Sequence, residues 1–159
     1  MKSFDIVSKV KVFPISESSI EDRKLIEAAQ AATQQSYSPY SGYSVGAAVL
    51  LDNGEIIMGS NQENAAYPSG LCAERTALFY ANSQYPDIPV NTVAVAAFNK
   101  GDYTEDVCTP CGLCRQVFVE IEMRYGKPVR ILMCSKDTVY EVDSIKTILP
   151  LSFGKESLT

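Results

Sequence analysis

Five cysteines, no histidine and no tryptophan occur among the 159 residues, and three of the cysteines are spaced for metal chemistry. Cys111 and Cys114 stand three apart, so on one helical turn both sulfurs face the same point. Cys72 opens a separate run rich in Ala and Leu, with Glu74 and Arg75 close behind it. Lacking imidazole, the chain has no Ser-His-Asp or Cys-His catalysis available, and any soft metal must be held by sulfur. If both runs are helices, each N-terminus contributes roughly +0.5 charge and lowers the thiol pKa, favouring the thiolate that binds zinc. Three thiolates leave one corner of a zinc tetrahedron open, and an open corner separates a catalytic centre from a closed structural one.

Glu74 lies near enough to Cys72 to reach a water at that corner without being a ligand, and a carboxylate there can move protons to and from a substrate. Zinc lowers the pKa of its water from about 15.7 to about 7 in the best sites, but three thiolates leave the centre with a net charge of about −1. Arg75 and the two helix dipoles offset that charge. Two other arrangements use the same cysteines. A redox Cys-x-x-Cys pair needs no third thiol or carboxylate, so Cys72 with Glu74 favours zinc over it. A structural zinc would recruit Cys108 or Cys134 as fourth ligand; Cys108, just before Pro110, is the stronger candidate, whereas Cys134 reads as a buried thiol at a strand end.

These residues need elements to hold them. Ser18 with Glu21 three residues on reads as a capping box, and Leu25, Ile26, Ala28, Ala29 and Ala32 place an apolar stripe on a helix running to about Ser36. Val45 to Leu51 and Glu55 to Ser60 read as strands joined through Asp52-Asn53-Gly54, with Asn-Gly supplying the positive φ of a tight turn. Cys72 to Ala81 and Cys111 to about Tyr125 are the cysteine-bearing helices, the second ended by Gly126 and Pro128. Thr92 to Phe98, Val129 to Cys134 and Thr138 to Val142 are further strands, and Ser144 to Leu149 a short helix stopped by Pro150. The order αββαβαββα predicts one three-layer α/β/α sandwich around a mixed five-stranded sheet over residues 20–159, with residues 1–19 as an N-terminal arm or strand.

Composition narrows the partners. Lys and Arg total 14 against 19 Asp and Glu, a net charge of −5, so no broad basic field favours nucleic acid or an anionic membrane. An odd cysteine count and the absence of an apolar leader read as a cytoplasmic protein.

Cys72-Ala73-Glu74-Arg75-Thr76-Ala77-Leu78 and Pro110-Cys111-Gly112-Leu113-Cys114-Arg115-Gln116-Val117 resemble the zinc nucleoside deaminases, specifically the small homotetrameric cytidine deaminases. The likeness extends in the same order through Ser38-Pro39-Tyr40-Ser41-Gly42-Tyr43-Ser44-Val45-Gly46-Ala47, Asn61-Gln62-Glu63-Asn64-Ala65 and Leu149-Pro150-Leu151-Ser152-Phe153-Gly154. It spans about residues 20 to 155; each short motif alone is weak, and their combination is specific.

The resemblance implies hydrolytic deamination of cytidine and 2′-deoxycytidine in pyrimidine salvage. It implies one zinc per chain on Cys72, Cys111 and Cys114, with Glu74 as proton shuttle. Asn61 and Glu63 would bind the ribose hydroxyls, and the Ala73 and Cys111 amides the pyrimidine oxygen and the attacking oxygen. Tyr43 replaces the Phe usual against the base, so its hydroxyl needs a partner, and Phe118 is larger than the aliphatic residue expected there. A homotetramer with shared active sites follows from the family tail, Phe153 crossing to cover a neighbour's base and Tyr67 reaching a neighbour's 5′-hydroxyl. Glu63 as an anion beside the sugar favours a free nucleoside over a 5′-phosphate. For Asn61 the competing reading is a turn residue with a purely structural role.

Overall fold

A computed structural model describes residues 1–158. Its strands are β1 (Lys11–Pro14), β2 (Ser44–Leu51), β3 (Ile56–Ser60), β4 (Val90–Asn99), β5 (Asp102–Tyr103), β6 (Arg130–Cys134) and β7 (Thr138–Val142). The α-helices are α1 (Ile20–Ala32), α2 (Ala73–Gln84) and α3 (Gly112–Tyr125). The sheet order is β1-β7-β6-β4-β2-β3, with β5 paired to β4. β4 and β6 run parallel through the α3 crossover while the other pairings are antiparallel, so the sheet is mixed as expected.

Alternation along the strands divides the core between two helical layers. Ala48 and Leu50 of β2 join Ala94, Ala96 and Leu132 under Leu25, Ile26 and Ala29 of α1. Ala47, Val49 and Leu51 face the other way with Val93, Val95, Ile131 and Met133, beneath α2 and α3. Thr92 to Ala97 of β4 are buried throughout, because helices cover both faces of this central strand. Phe118 packs into the α2–α3 side with no exposed surface, so the sandwich accommodates its extra volume.

Seven strands replace the five expected. β5 is a two-residue return on β4, too short for periodicity to show. β1 adds an antiparallel edge strand to β7, with Lys11 opposite Glu141 and its ammonium 2.9 Å from Glu141 and 2.7 Å from Asp143. Of residues 1–19, expected as an arm or strand, only Lys11–Pro14 is strand; residues 1–10 form no regular element.

Local chemistry shifts other boundaries. The cap of α1 is Ser19, whose hydroxyl accepts from the Asp22 amide at 3.0 Å, one residue beyond the Ser18 expected. The α-helix stops at Ala32 and continues as a 3-10 turn over Thr33–Gln35. The β2–β3 loop is the expected three-residue connection Asp52-Asn53-Gly54, with the Gly54 amide bonding Leu51 O at 2.9 Å; only Gly54 takes positive φ, +87°, while Asn53 does not. The helix expected over Ser144 to Leu149 is a 3-10 turn at Ile145–Thr147. Buried Glu122 explains its location: the carboxylate accepts from the Val129 and Ile145 amides, both at 2.9 Å, and from the Ser144 hydroxyl at 2.8 Å.

Gly59 brings β3 onto the start of α2. A Cβ there would stand 2.5 Å from Ala77 N and 2.9 Å from Ala73 O, the two ends of the first helical hydrogen bond after Cys72. Among the described residues, no helix is long and apolar enough to cross a membrane.

Candidate active site

Cys72 and Cys111 occupy the N-cap positions of α2 and α3, with extended backbone and no side-chain capping bond of their own. Cys114 lies one turn into α3 and is buried. The sulfurs of Cys72 and Cys111 are 3.7 Å apart and those of Cys111 and Cys114 3.6 Å, all three lying within 4.8 Å of one another. Zinc–sulfur bonds of about 2.3 Å at tetrahedral angles set sulfurs about 3.8 Å apart. The trio therefore fits a zinc ion in both chemistry and spacing. Cys108 and Cys134 lie outside this cluster, so the four-sulfur arrangement is not assembled.

Charge within the cluster is uneven. A hydrogen bond from Cys114, then Arg75 and Cys111, hold the Cys72 thiol down at about 5. The Arg75 guanidinium approaches Cys72 Sγ at 3.6 Å. Cys114 is pushed up by its bond to Cys72 and by burial. Ionisation of Cys72 is thus favoured and that of Cys114 opposed, a repulsion that a divalent cation would offset. Glu74, in the first turn of α2, is only 4% exposed, and burial above all raises its pKa. Burial thus favours the protonated form of this carboxyl beyond what an exposed one would show.

A cleft of about 780 Å³ opens over these groups and brings Tyr43, Asn61, Glu63 and Tyr67 to the same space as Cys72, Glu74 and Arg75. Asn61 Oδ1 accepts from Val45 N at 2.8 Å and its Nδ2 donates to Tyr43 O at 2.9 Å. Glu63 accepts from the amides of Tyr40 and Ser41 at 2.9 and 3.2 Å and from the Ser41 hydroxyl. Tyr43 faces Thr104 and Cys108, and burial raises its pKa, which Cys108 increases and Thr104 opposes. Tyr67 is 76% exposed and meets Tyr40 edge-on at 6.1 Å. Ala73 begins α2, so its amide has no acceptor within the helix. Phe153 does not line the cleft of its own chain; it is 60% exposed, with its carbonyl accepting from Gln116 Nε2 at 2.8 Å.

The family model described as cytidine and deoxycytidylate deaminase zinc-binding region matches residues 19–126. The chain belongs to this deaminase family. A cytidine deaminase of Sporosarcina psychrophila is 40% identical over 136 residues, covering 86% of this chain and 93% of its own length. A probable cytidine deaminase of Dictyostelium discoideum is 37% identical over 142 residues, with 87% of each chain covered. The crystal structure of cytidine deaminase from Burkholderia pseudomallei superposes with a TM-score of 0.70 at 36% identity, over 82% of this chain and 98% of that one.

For a zinc deaminase, Cys72, Cys111 and Cys114 are the residues able to hold the ion. Two further residues line the cleft with no role legible in the sequence. Ser41 lies within a family-like motif, but nothing in its type reveals a bond to Glu63 from 22 positions away. In sequence Cys108 reads only as a candidate fourth ligand; in the fold it lines the cleft as a neutral thiol, pushed up to about 12 by burial, beside the Tyr43 hydroxyl.

Proposed function

We propose that the protein converts cytidine and 2′-deoxycytidine to the corresponding uridines with release of ammonia, one zinc per chain being held by Cys72, Cys111 and Cys114. The observation that carries the reading is the convergence of three sulfurs within 4.8 Å beside a buried carboxylate, in a cleft that also holds a second carboxylate suited to a sugar. Zinc supplies a Lewis acid that makes water nucleophilic at neutral pH.

Glu74 carries the protons. It accepts one as water adds to C4 of the base and delivers it to ring N3, then takes the second from the new C4 hydroxyl and passes it to the departing amine, so that ammonia leaves as the C4 carbonyl forms. Its raised pKa suits both halves of that cycle, since the group must hold a proton without retaining it. Arg75 offsets the thiolate charge through Cys72, 3.6 Å away. The Ala73 amide takes the pyrimidine oxygen and the Cys111 amide the attacking oxygen, while the Tyr43 ring packs against the base. Asn61 and Glu63 bind the ribose hydroxyls. Both also hold the 40–45 segment, so their structural and ligand roles coincide.

Residues 20–159 act as the catalytic domain and residues 1–19 as an appended arm. The enzyme works in the cytoplasm as a homotetramer, with Phe153 covering a neighbour's base and Tyr67 reaching a neighbour's 5′-hydroxyl; the high exposure of both aromatics supports this assembly. The decisive variant is Glu74→Gln. It retains fold and zinc while turnover of cytidine, followed by ammonia release, drops by about 10²–10⁴-fold. Activity within about tenfold of wild type would remove Glu74 from the mechanism.

A further inference from the structure

We propose that Ser41 is a positioning residue for nucleoside binding, its hydroxyl joining the carboxylate of Glu63 to the backbone of Tyr43. The inference rests on the nucleoside deaminase reading above and extends it to a residue with no role there. The Ser41 hydroxyl donates to Glu63 Oε1, and the same oxygen accepts from the Tyr43 amide at 3.0 Å. The direction of this chain is forced. An ionised carboxylate only accepts, an amide N–H only donates, and a hydroxyl has one proton to give.

The chain links the two ends of the ligand. Glu63 receives the Ser41 hydroxyl together with the Tyr40 and Ser41 amides, which hold its carboxyl below the usual carboxylate range. Tyr43 is gripped at the amide by Ser41 and at the carbonyl by Asn61 Nδ2, with Asn61 Oδ1 also holding Val45 N. One hydroxyl thereby sets the sugar-binding anion and the ring against the base in a fixed relation. Without it, Glu63 keeps two amide donors but can swing, and the Tyr43 amide has no acceptor from the loop.

The test compares Ser41→Ala, Ser41→Thr, Glu63→Gln and the double variant Ser41→Ala/Glu63→Gln by cytidine kinetics, together with calorimetric binding of uridine. Ser41→Ala should raise KM, and weaken uridine, by about fivefold to tenfold with kcat within about twofold of wild type. Ser41→Thr, which keeps the hydroxyl at an exposed position, should restore both values to within about twofold. Because Ser41 acts through Glu63, adding Ser41→Ala to Glu63→Gln should raise KM by less than about twofold more. A KM for Ser41→Ala within twofold of wild type, a loss confined to kcat, failed rescue by threonine, or full additivity with Glu63→Gln would each overturn the proposal. A wild-type protein that turns over no cytidine and binds no uridine would instead overturn the deaminase reading, and this inference with it.

Discussion

Gly59→Ala tests whether contact between β3 and α2 sets the geometry of the metal site. The added Cβ would lie 2.5 Å from Ala77 N, against an ordinary contact of at least 3.4 Å, and the three nearest atoms it meets are all backbone. No rotamer can relieve the clash, so α2 must withdraw from β3 by about 0.9 Å, or β3 must leave the sheet plane by as much. Metal sites tolerate ligand displacements of only about 0.2 Å, and Cys72 is fixed to the start of the helix that moves. Overpacking of this kind costs about 1–3 kcal/mol. At roughly 2–4 °C per kcal/mol for a chain of this size, Tm falls by about 2 to 12 °C. Gly112→Ala is the matched control, at the first position of α3 with nothing within 4 Å of the new Cβ; it should be neutral or stabilising by up to about 1 kcal/mol. Thermal unfolding of the zinc-loaded proteins at one concentration, with zinc retention after dialysis against a weak chelator, gives both readouts. Gly59→Ala melting within 1 °C of wild type with full zinc retention would refute the argument, as would equal damage from Gly112→Ala.

Metal content should be one zinc per chain, with X-ray absorption showing three sulfurs and one lighter atom; a four-sulfur shell would move the site into the structural class. Stripping that zinc should lower Tm and expose the sulfurs to thiol reagents, whereas unchanged reactivity would show that they do not hold the ion. Phe153→Ala chains co-refolded with Glu74→Ala chains should yield activity above the sum of the two parents, because mixed oligomers regenerate sites with both residues intact. A fully active wild-type monomer at assay concentration would end the shared-site proposal.

The site was more legible than its surroundings. Two helix starts carrying Cys72, Cys111 and Cys114 follow from local composition and the Pro110 and Gly126 boundaries, which act within one turn. β2 and β4 are likewise legible, as short apolar runs, because both of their faces pack against helices. The features that local sequence does not carry depend on partners distant in sequence. The 3-10 turn at Ile145 follows from its amide bonding Glu122, 23 residues earlier, and β5 has only two residues in which to declare a period. Ser18 and Ser19 are equivalent as caps by type; side-chain geometry chose the second. The engagement of Glu63 by Ser41 belongs to the same class, since a serine in a turn looks alike whether it faces solvent or a carboxylate.

The two N-caps have a consequence for how such a scaffold can change. A helix normally begins with a Ser, Thr, Asp or Asn whose oxygen satisfies a free amide, whereas α2 and α3 begin with cysteines that make no such bond. Both helix starts thus give up conventional capping to present sulfur to a cation, and the cation's positive charge opposes the like-signed ends of the two helix dipoles. Thiolate charge is what reconciles them. A descendant that lost its metal would inherit two poorly capped helices, and oxygen-bearing residues at 72 and 111 would be the shortest route back to stability. Once those are in place, the catalytic centre has become a structural repair, and regaining the metal would require undoing it.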